Sequence, residues 1–163
     1  MGTISSQDIT DLNASPPKPL PVGKLGGRVR IATGTIEAAT GDLDVADIIK
    51  LTRLPTIARV HSIILRNDDL GTTLTADVGL YETDGTVIDV DAYANAFVLH
   101  TASTAGVDAA FTTRDINKAG QQVWQDAGKA SDPGGYEDLV LTVDASTTPA
   151  AGTISWTVLY SVD

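Results

Sequence analysis

Residues 123–163 read VWQDAGKASDPGGYEDLVLTVDASTTPAAGTISWTVLYSVD. A helical segment ends at Gly128, Asp132-Pro133-Gly134-Gly135 forms a turn, and two alternating segments follow. In the first, Leu139, Leu141 and Val143 alternate with other residues; in the second, Ile154, Trp156, Val158, Tyr160 and Val162 do the same. A period of two marks a strand with one buried face, so the closing part of the chain is a pair of strands. The linker 145–152 is rich in Ser, Thr, Pro and Ala, as a loop requires.

Working towards the N-terminus, the stretch INKAGQQVWQDAG (116–128) predicts a second helix with Asp115 as its N-cap. Residues 98–115 read poorly, with strands expected at 97–101 and around Phe111. DVDAYANAF (89–97) predicts a short helix or turn capped by Asp89 or Asp91. The run TLTADVGLYETDG places Leu74, Ala76, Val78 and Leu80 on one face, and Asp84-Gly85 signals a hairpin into Val87-Ile88. A strand is expected near 48–54, broken by Pro55, and a longer central one over 57–67. In GRVRIATGTIEA, Val29, Ile31 and Thr33 share one face, and the shift to Ile36 predicts a bulge at Gly34. About eight strands with frequent turns and no βαβ rhythm predict an all-β chain: an antiparallel β-sandwich, jelly-roll-like, with one or two short helices.

Pro16, Pro17, Pro19 and Pro21 exclude a helix or interior strand there, so residues 1–26 are expected to form an extended Pro/Gly-rich arm. Residues 27–163 are then a single β-sandwich domain. The chain has 163 residues, a net charge of −10, 42% hydrophobic and 20% charged residues, and no cysteine. That composition is globular and provides neither disulfides nor thiolate metal ligands. Its acids are 18 Asp and 3 Glu, a bias towards turns and strand ends over helices. An acidic body repels phosphates and argues against nucleic acid as a partner. No apolar run approaches the roughly 20 residues of a membrane helix. The basic exception is the arm and its exit, with Lys18, Lys24, Arg28 and Arg30. Together with Leu20, Val22 and Leu25, these are the candidate partner-binding residues, on an arm that orders against another surface.

Catalytic candidates are few. His61 and His100 are the only imidazoles, and each sits in a strand-like apolar context. No HExxH-type spacing, phosphate loop or EF-hand order is present. Glu37, Glu82 and Glu137 flank turns, where solvation is the simplest reading, and the acids of 67–69 and 84–91 read as turn and cap residues. Trp124, Trp156 and Tyr160 lie on apolar faces and read as core, whereas Tyr81, Tyr93 and Tyr136 are the aromatics expected to be exposed. No catalytic residue, metal site or cofactor is assigned.

The pieces IIKLTRLPTIARVHSIIL (48–65), NDDLGTTLTADVGLYETDG (67–85), VIDVDAYANAF (87–97), VWQDAGKASDPGGYEDLVLTV (123–143) and AAGTISWTVLYSVD (150–163), in this order, resemble a group of tailed-bacteriophage virion proteins of the capsid decoration kind, also called head-stabilising or cement proteins. The resemblance implies a β-sandwich without enzymatic activity that binds the major capsid protein on the outside of the shell. It also implies a homotrimer and a location on the virion, assembled in the host cytoplasm. A different virion part is the alternative: a tail or spike component, or a carbohydrate-binding sandwich used in host attachment.

Overall fold

The computed structural model describes residues 4–20 and 25–162. Ten strands follow a short helix: β1 (Arg28–Ala38), β2 (Ile48–Pro55), β3 (Arg59–Asn67), β4 (Gly71–Thr72), β5 (Thr75–Tyr81), β6 (Val87–Val98), β7 (Ser103–Asp108), β8 (Tyr136–Ala145), β9 (Thr148–Pro149) and β10 (Gly152–Val162). They form two four-stranded sheets, ordered β1-β10-β3-β7 and β2-β8-β5-β6, with β4 and β9 as a small separate pair. All pairings are antiparallel. Leaving β4 and β9 aside, successive strands alternate between the sheets except at the β5–β6 hairpin, and the first strand pairs with the last. That winding is a jelly roll, as the alternating patterns led one to expect.

Strand alternation fills the space between the sheets. Ile154, Trp156 and Val158 of β10, Ile63 and Leu65 of β3, Ala76, Val78 and Leu80 of β5, and Leu139, Leu141 and Val143 of β8 are all buried in one apolar core. The Asp84-Gly85 hairpin forms as read, with Gly85 N–H donating to Glu82 O at 2.9 Å and Gly85 at φ +97°. Only glycine adopts that backbone without strain.

Several expectations are corrected. No bulge occurs at Gly34: β1 pairs with β10 in one unbroken register from Arg28↔Val162 to Ala38↔Gly152. Gly34 is there because the Trp156 ring lies across its backbone, where a Cβ would collide with the indole. With strict alternation, Ala32, Gly34 and Ile36 face inward opposite Val158, Trp156 and Ile154, and Val29 and Ile31 face out, 65% and 63% exposed. Residues 89–97 are not a helix or turn but the body of β6, a strand whose ladder with β5 shifts register three times. Those shifts, together with Ala96 at φ +49° and held by its N–H to Asp77 Oδ1 at 2.8 Å, destroy the period of two that would have revealed a strand.

The second helix is split. Asp115 caps only a 3₁₀ turn at Ile116–Lys118, and the α-helix α2 is Val123–Asp126, preceded by Gln122. Ile116, the first residue of the expected helix, is 82% exposed. The strand expected at 97–101 is present only as the end of β6, which stops at Val98; β7 follows, and Phe111 lies in the long connection after it. Tyr81 and Tyr93 are buried and Tyr136 alone of that trio is exposed; Glu137 is fully buried as well. In the arm, Gln7–Leu12 forms a helix, α1, capped by Ser6 Oγ accepting from Ile9 N–H at 3.3 Å.

The connection 109–135 is clamped by one side chain. Buried Arg114 donates Nη1–H to Val60 O at 3.1 Å, Nη2–H to Lys118 O at 2.7 Å and Nε–H to Asp126 Oδ1 at 3.1 Å. Its guanidinium lies 5.5 Å from the Tyr93 ring centroid and 5.1 Å from that of Phe111. Tyr93 Oη–H completes the group by donating to Asp126 Oδ2 at 3.2 Å.

Four variants test the packing of the fold by urea denaturation. Arg114→Met leaves Asp126 buried without its cation and should lower stability by about 3–5 kcal/mol, with Arg114→Met/Asp126→Leu recovering part of that loss. At Gly79 an added Cβ would meet the backbone oxygens of Asp89 and Val90, whereas at Gly41 it would meet open space. Gly79→Ala should therefore cost about 1–3 kcal/mol or more, and Gly41→Ala should stay within about 0.5 kcal/mol.

Candidate interaction surface

Within the described part of the arm, Asp11 is a shared acceptor, taking bonds from Gln7, Ala14 and Lys18. Lys18 N–H donates to Asp11 O at 2.9 Å, and Lys18 Nζ approaches Asp11 Oδ1 at 3.4 Å with its side chain 70% exposed. An ion pair that open contributes little, so the ammonium remains available to another surface. No residue of α1 is buried, and Ile4 and Ile9 are exposed. Of the seven candidate partner-binding residues, Leu20 is half-buried, Leu25 is 64% exposed, and Arg28 and Arg30 are exposed at the start of β1. Val22 and Lys24 lie outside the described residues. β1 brings Arg28 and Arg30 onto one face, opposite Val162 and Tyr160 of β10. Val29 and Ile31 between and beside them were missed, because their alternation was read as the inward face. Small Ala32 and Gly34 on the other parity were the signal that the core lay there.

The polar groups inside and around the sandwich serve structure. His61 Nε2, on an exposed residue of β3, lies 2.9 Å from Oγ of the buried Ser161, a nucleophile-and-base distance. Burial and the cationic Arg114 and Arg59 lower the basicity of this imidazole, the reverse of what an orienting carboxylate does in a triad. His100 Nδ1 is 3.1 Å from Leu74 O. Asp69 Oδ1 and Asp84 Oδ1 accept the N–H of Gly71 and Thr86 at 3.1 and 2.9 Å, the turn chemistry expected of them. Among the described residues, no group of three or more His, Cys, Asp or Glu side chains is placed to hold a metal, and no helix is long and apolar enough to cross a membrane.

Burial pushes the Asp126 carboxyl up to about 6 against the opposing pull of Arg114 and Tyr93, but its atoms are used in the clamp around Arg114. Glu137 was expected to be solvated and is instead fully buried 2.8 Å from Lys129 Nζ, which also pairs with Glu82 at 2.7 Å. This triple joins the β5–β6 hairpin, the end of the 109–135 connection and the start of β8.

Asp138, on the outer face of β8, accepts from Arg53 Nε–H at 2.7 Å and Lys50 Nζ–H at 3.0 Å. The hydrogen bond from Arg53 holds its carboxyl below the ordinary aspartate value. A depressed folded-state value adds stability that is fully present above the unfolded pKa of about 3.9 and is lost as pH falls through the folded value. Asp138→Asn should thus be less stable than the parent at pH 7, and the difference should shrink as the pH is lowered below about 4. Thermal melts of the two proteins across pH 2–7 measure this.

The same fold occurs in two phage capsids. A chain of "Cyanophage Pam1 capsid asymmetric unit" superposes with a TM-score of 0.55 at 21% identity, over 93% of this chain and 97% of that one. A chain of "Capsid of Ralstonia phage GP4" gives a TM-score of 0.62 at 24% identity, over 90% of this chain and 92% of that one. No protein-family model matches the chain. No curated protein sequence matches it. At these identities the likeness is one of fold, extending over at least nine tenths of the chain.

Proposed function

We propose that this protein is a non-enzymatic structural component of a tailed-phage virion, a decoration or cement protein that binds the major capsid protein on the outer surface of the head and stabilises it. The observation that carries the reading is the jelly roll shared, over at least nine tenths of the chain, with chains of two phage capsids. Three physical features support it. The polar networks around Arg114, Lys129 and Asp138 are spent on holding loops and strands together. The net charge of −10 keeps the body apart from nucleic acid and from other virions. The arm, with exposed Ile4, Ile9 and Leu25 and the basic Lys18, and the adjoining Arg28 and Arg30 at the start of β1 present apolar and cationic contacts to another surface. On this reading residues 1–26 are the capsid-binding arm, with Leu20, Val22 and Lys24 among its contacts, and residues 27–163 the sandwich. Assembly takes place in the host cytoplasm, and on the resemblance alone the copies on the shell are trimers.

Purified virions test the role directly. The protein should co-purify with intact heads at a copy number on the scale of the shell, and labelling at the tail would overturn the reading. Deleting residues 1–26 should leave the melting temperature of the sandwich nearly unchanged and weaken binding to undecorated heads by about tenfold or more, each tenfold being about 1.4 kcal/mol. Undiminished binding by the truncated chain would remove the arm from the interface.

A further inference from the structure

The two sheets have four edge strands, and three of them are interrupted. β7 is only 6 residues long and its ladder with β3 shifts register between Leu65 and Asn67. β2 shifts register against β8 between Lys50 and Thr52 and ends in Pro55. β6 shifts three times against β5. Bulges, brevity and proline are the devices that keep a sheet edge from pairing with another chain. β1 has none of them. Its 11 residues contain no proline, pair with β10 without a break, and have no strand on the other side among the described residues. It is a regular row of unpaired backbone donors and acceptors, and what satisfies such a row is another extended strand.

The charges along this edge select the strand. Arg28 and Arg30 stand at its start, and Glu37 and then Asp42 stand at and beyond its end. The inward-facing Ile36 and Ala38 there line a groove of about 370 Å³ with Asp42, Asp47 and Ile48, and with Lys50, whose ammonium is held by Asp138 at 3.0 Å. One oxygen of Asp42 accepts from Ala39 N–H and one of Asp47 from Asp44 N–H, both carboxylates keeping acceptor capacity towards the groove. An antiparallel partner β1 centred on Thr33 places its own Arg28 and Arg30 opposite Ala38 and Ile36. Residues directly opposite in an antiparallel pair share a face, so the partner's two guanidinium groups arrive at the mouth of the groove with the two aspartates. The two-fold axis makes the same contact twice. In the same register the exposed Val29 and Ile31 stand beside the partner's Glu37 and the partner's Thr35 on the outer face. A parallel pair would instead set Arg30 beside Arg30, which like charges oppose.

We infer that β1 is a self-association edge, and that two copies of this chain join their β1 strands antiparallel across a two-fold axis near Thr33, extending the β1-β10-β3-β7 sheet through both molecules. The inference stands on edge geometry and charge alone, independent of any capsid. It describes a dimer, distinct from the trimer that the resemblance implies.

Sedimentation velocity of the full chain, free of virions, tests it. A dimer is expected whose dissociation constant rises about tenfold or more in Arg28→Glu/Arg30→Glu and in Ile31→Lys, and also rises with salt. Lys118→Glu, far from β1 in the chain and a charge change of the same sign, should leave it unchanged. Circular dichroism melts establish that each variant is folded. Hydrogen exchange gives a second readout: in the dimer successive β1 amides should all be protected, and in the variants only alternate ones. A monomer at every concentration, a trimer, or a dimer indifferent to the β1 substitutions overturns the proposal. Failure of the full chain to bind undecorated heads, with the dimer intact, would count against the capsid reading and leave the pairing standing.

Discussion

The buried pair of Arg114 and Asp126 is the constraint on which the rest of the molecule depends. A jelly roll must carry one long crossover from β7 to β8, here residues 109–135, and that crossover contains little regular structure. Backbone without a ladder needs partners from elsewhere. Arg114 supplies them, reaching the carbonyl of Val60 in one sheet and those of Lys118 and Gln121 within the crossover, and stacking beside Tyr93 of the other sheet. The cation is tolerable in the interior only because Asp126 faces it at 2.8 Å and Tyr93 bonds the same carboxylate. Two sheets and a loop are thereby held by one planar group with several fixed donors, a task lysine's point charge does not perform.

With its charged interior groups committed to such clamps, the protein presents chemistry only at its periphery. The flat outer faces carry hydroxyls and ion pairs such as Asp138 with Lys50 and Arg53. The apolar side chains that remain in solvent near the N-terminus belong to the arm and to β1. Both features lie towards the same end of the sequence, one leading directly into the other.

How much of this was legible in the chain follows from how each strand meets solvent. β5 and β10 keep Ala76, Val78, Leu80 and Ile154, Trp156, Val158 strictly two apart, so their inward faces could be read directly. β6 could not, because its register shifts and the positive φ of Ala96 put Tyr93 and Ala94 in the interior side by side. β1 misled for a different reason. Its outward Val29 and Ile31 are larger than its inward Ala32 and Gly34, and the reason for that inversion is Trp156, more than a hundred residues away. The buried Glu137 was hidden in the same way, since its cation is Lys129 across a turn and its cover comes from other elements. Of the arm, the proline run announced an absence of sheet, and the capped turn at Ser6 was audible only in the Ser-Gln-Asp start of α1. Arg28 and Arg30 were found by charge; the groove beyond Ile36 that complements them is a property of the tertiary structure.

The pairing of β1 with β10 also has a bearing on how the chain reaches this shape. Arg28 is bonded beside Val162, so the sheet that begins the domain can be completed only by its final strand. Contacts of such sequence separation are slow to form, because the intervening loop must be closed before they return any stabilisation. A chain emerging from the ribosome therefore holds β1 and β3 apart with an open slot between them until β10 arrives. During that interval the slot exposes two strand edges and the apolar side chains destined for the core, the condition under which chains associate wrongly. The strand that closes the slot, β10, is thus also the one that removes these exposed edges.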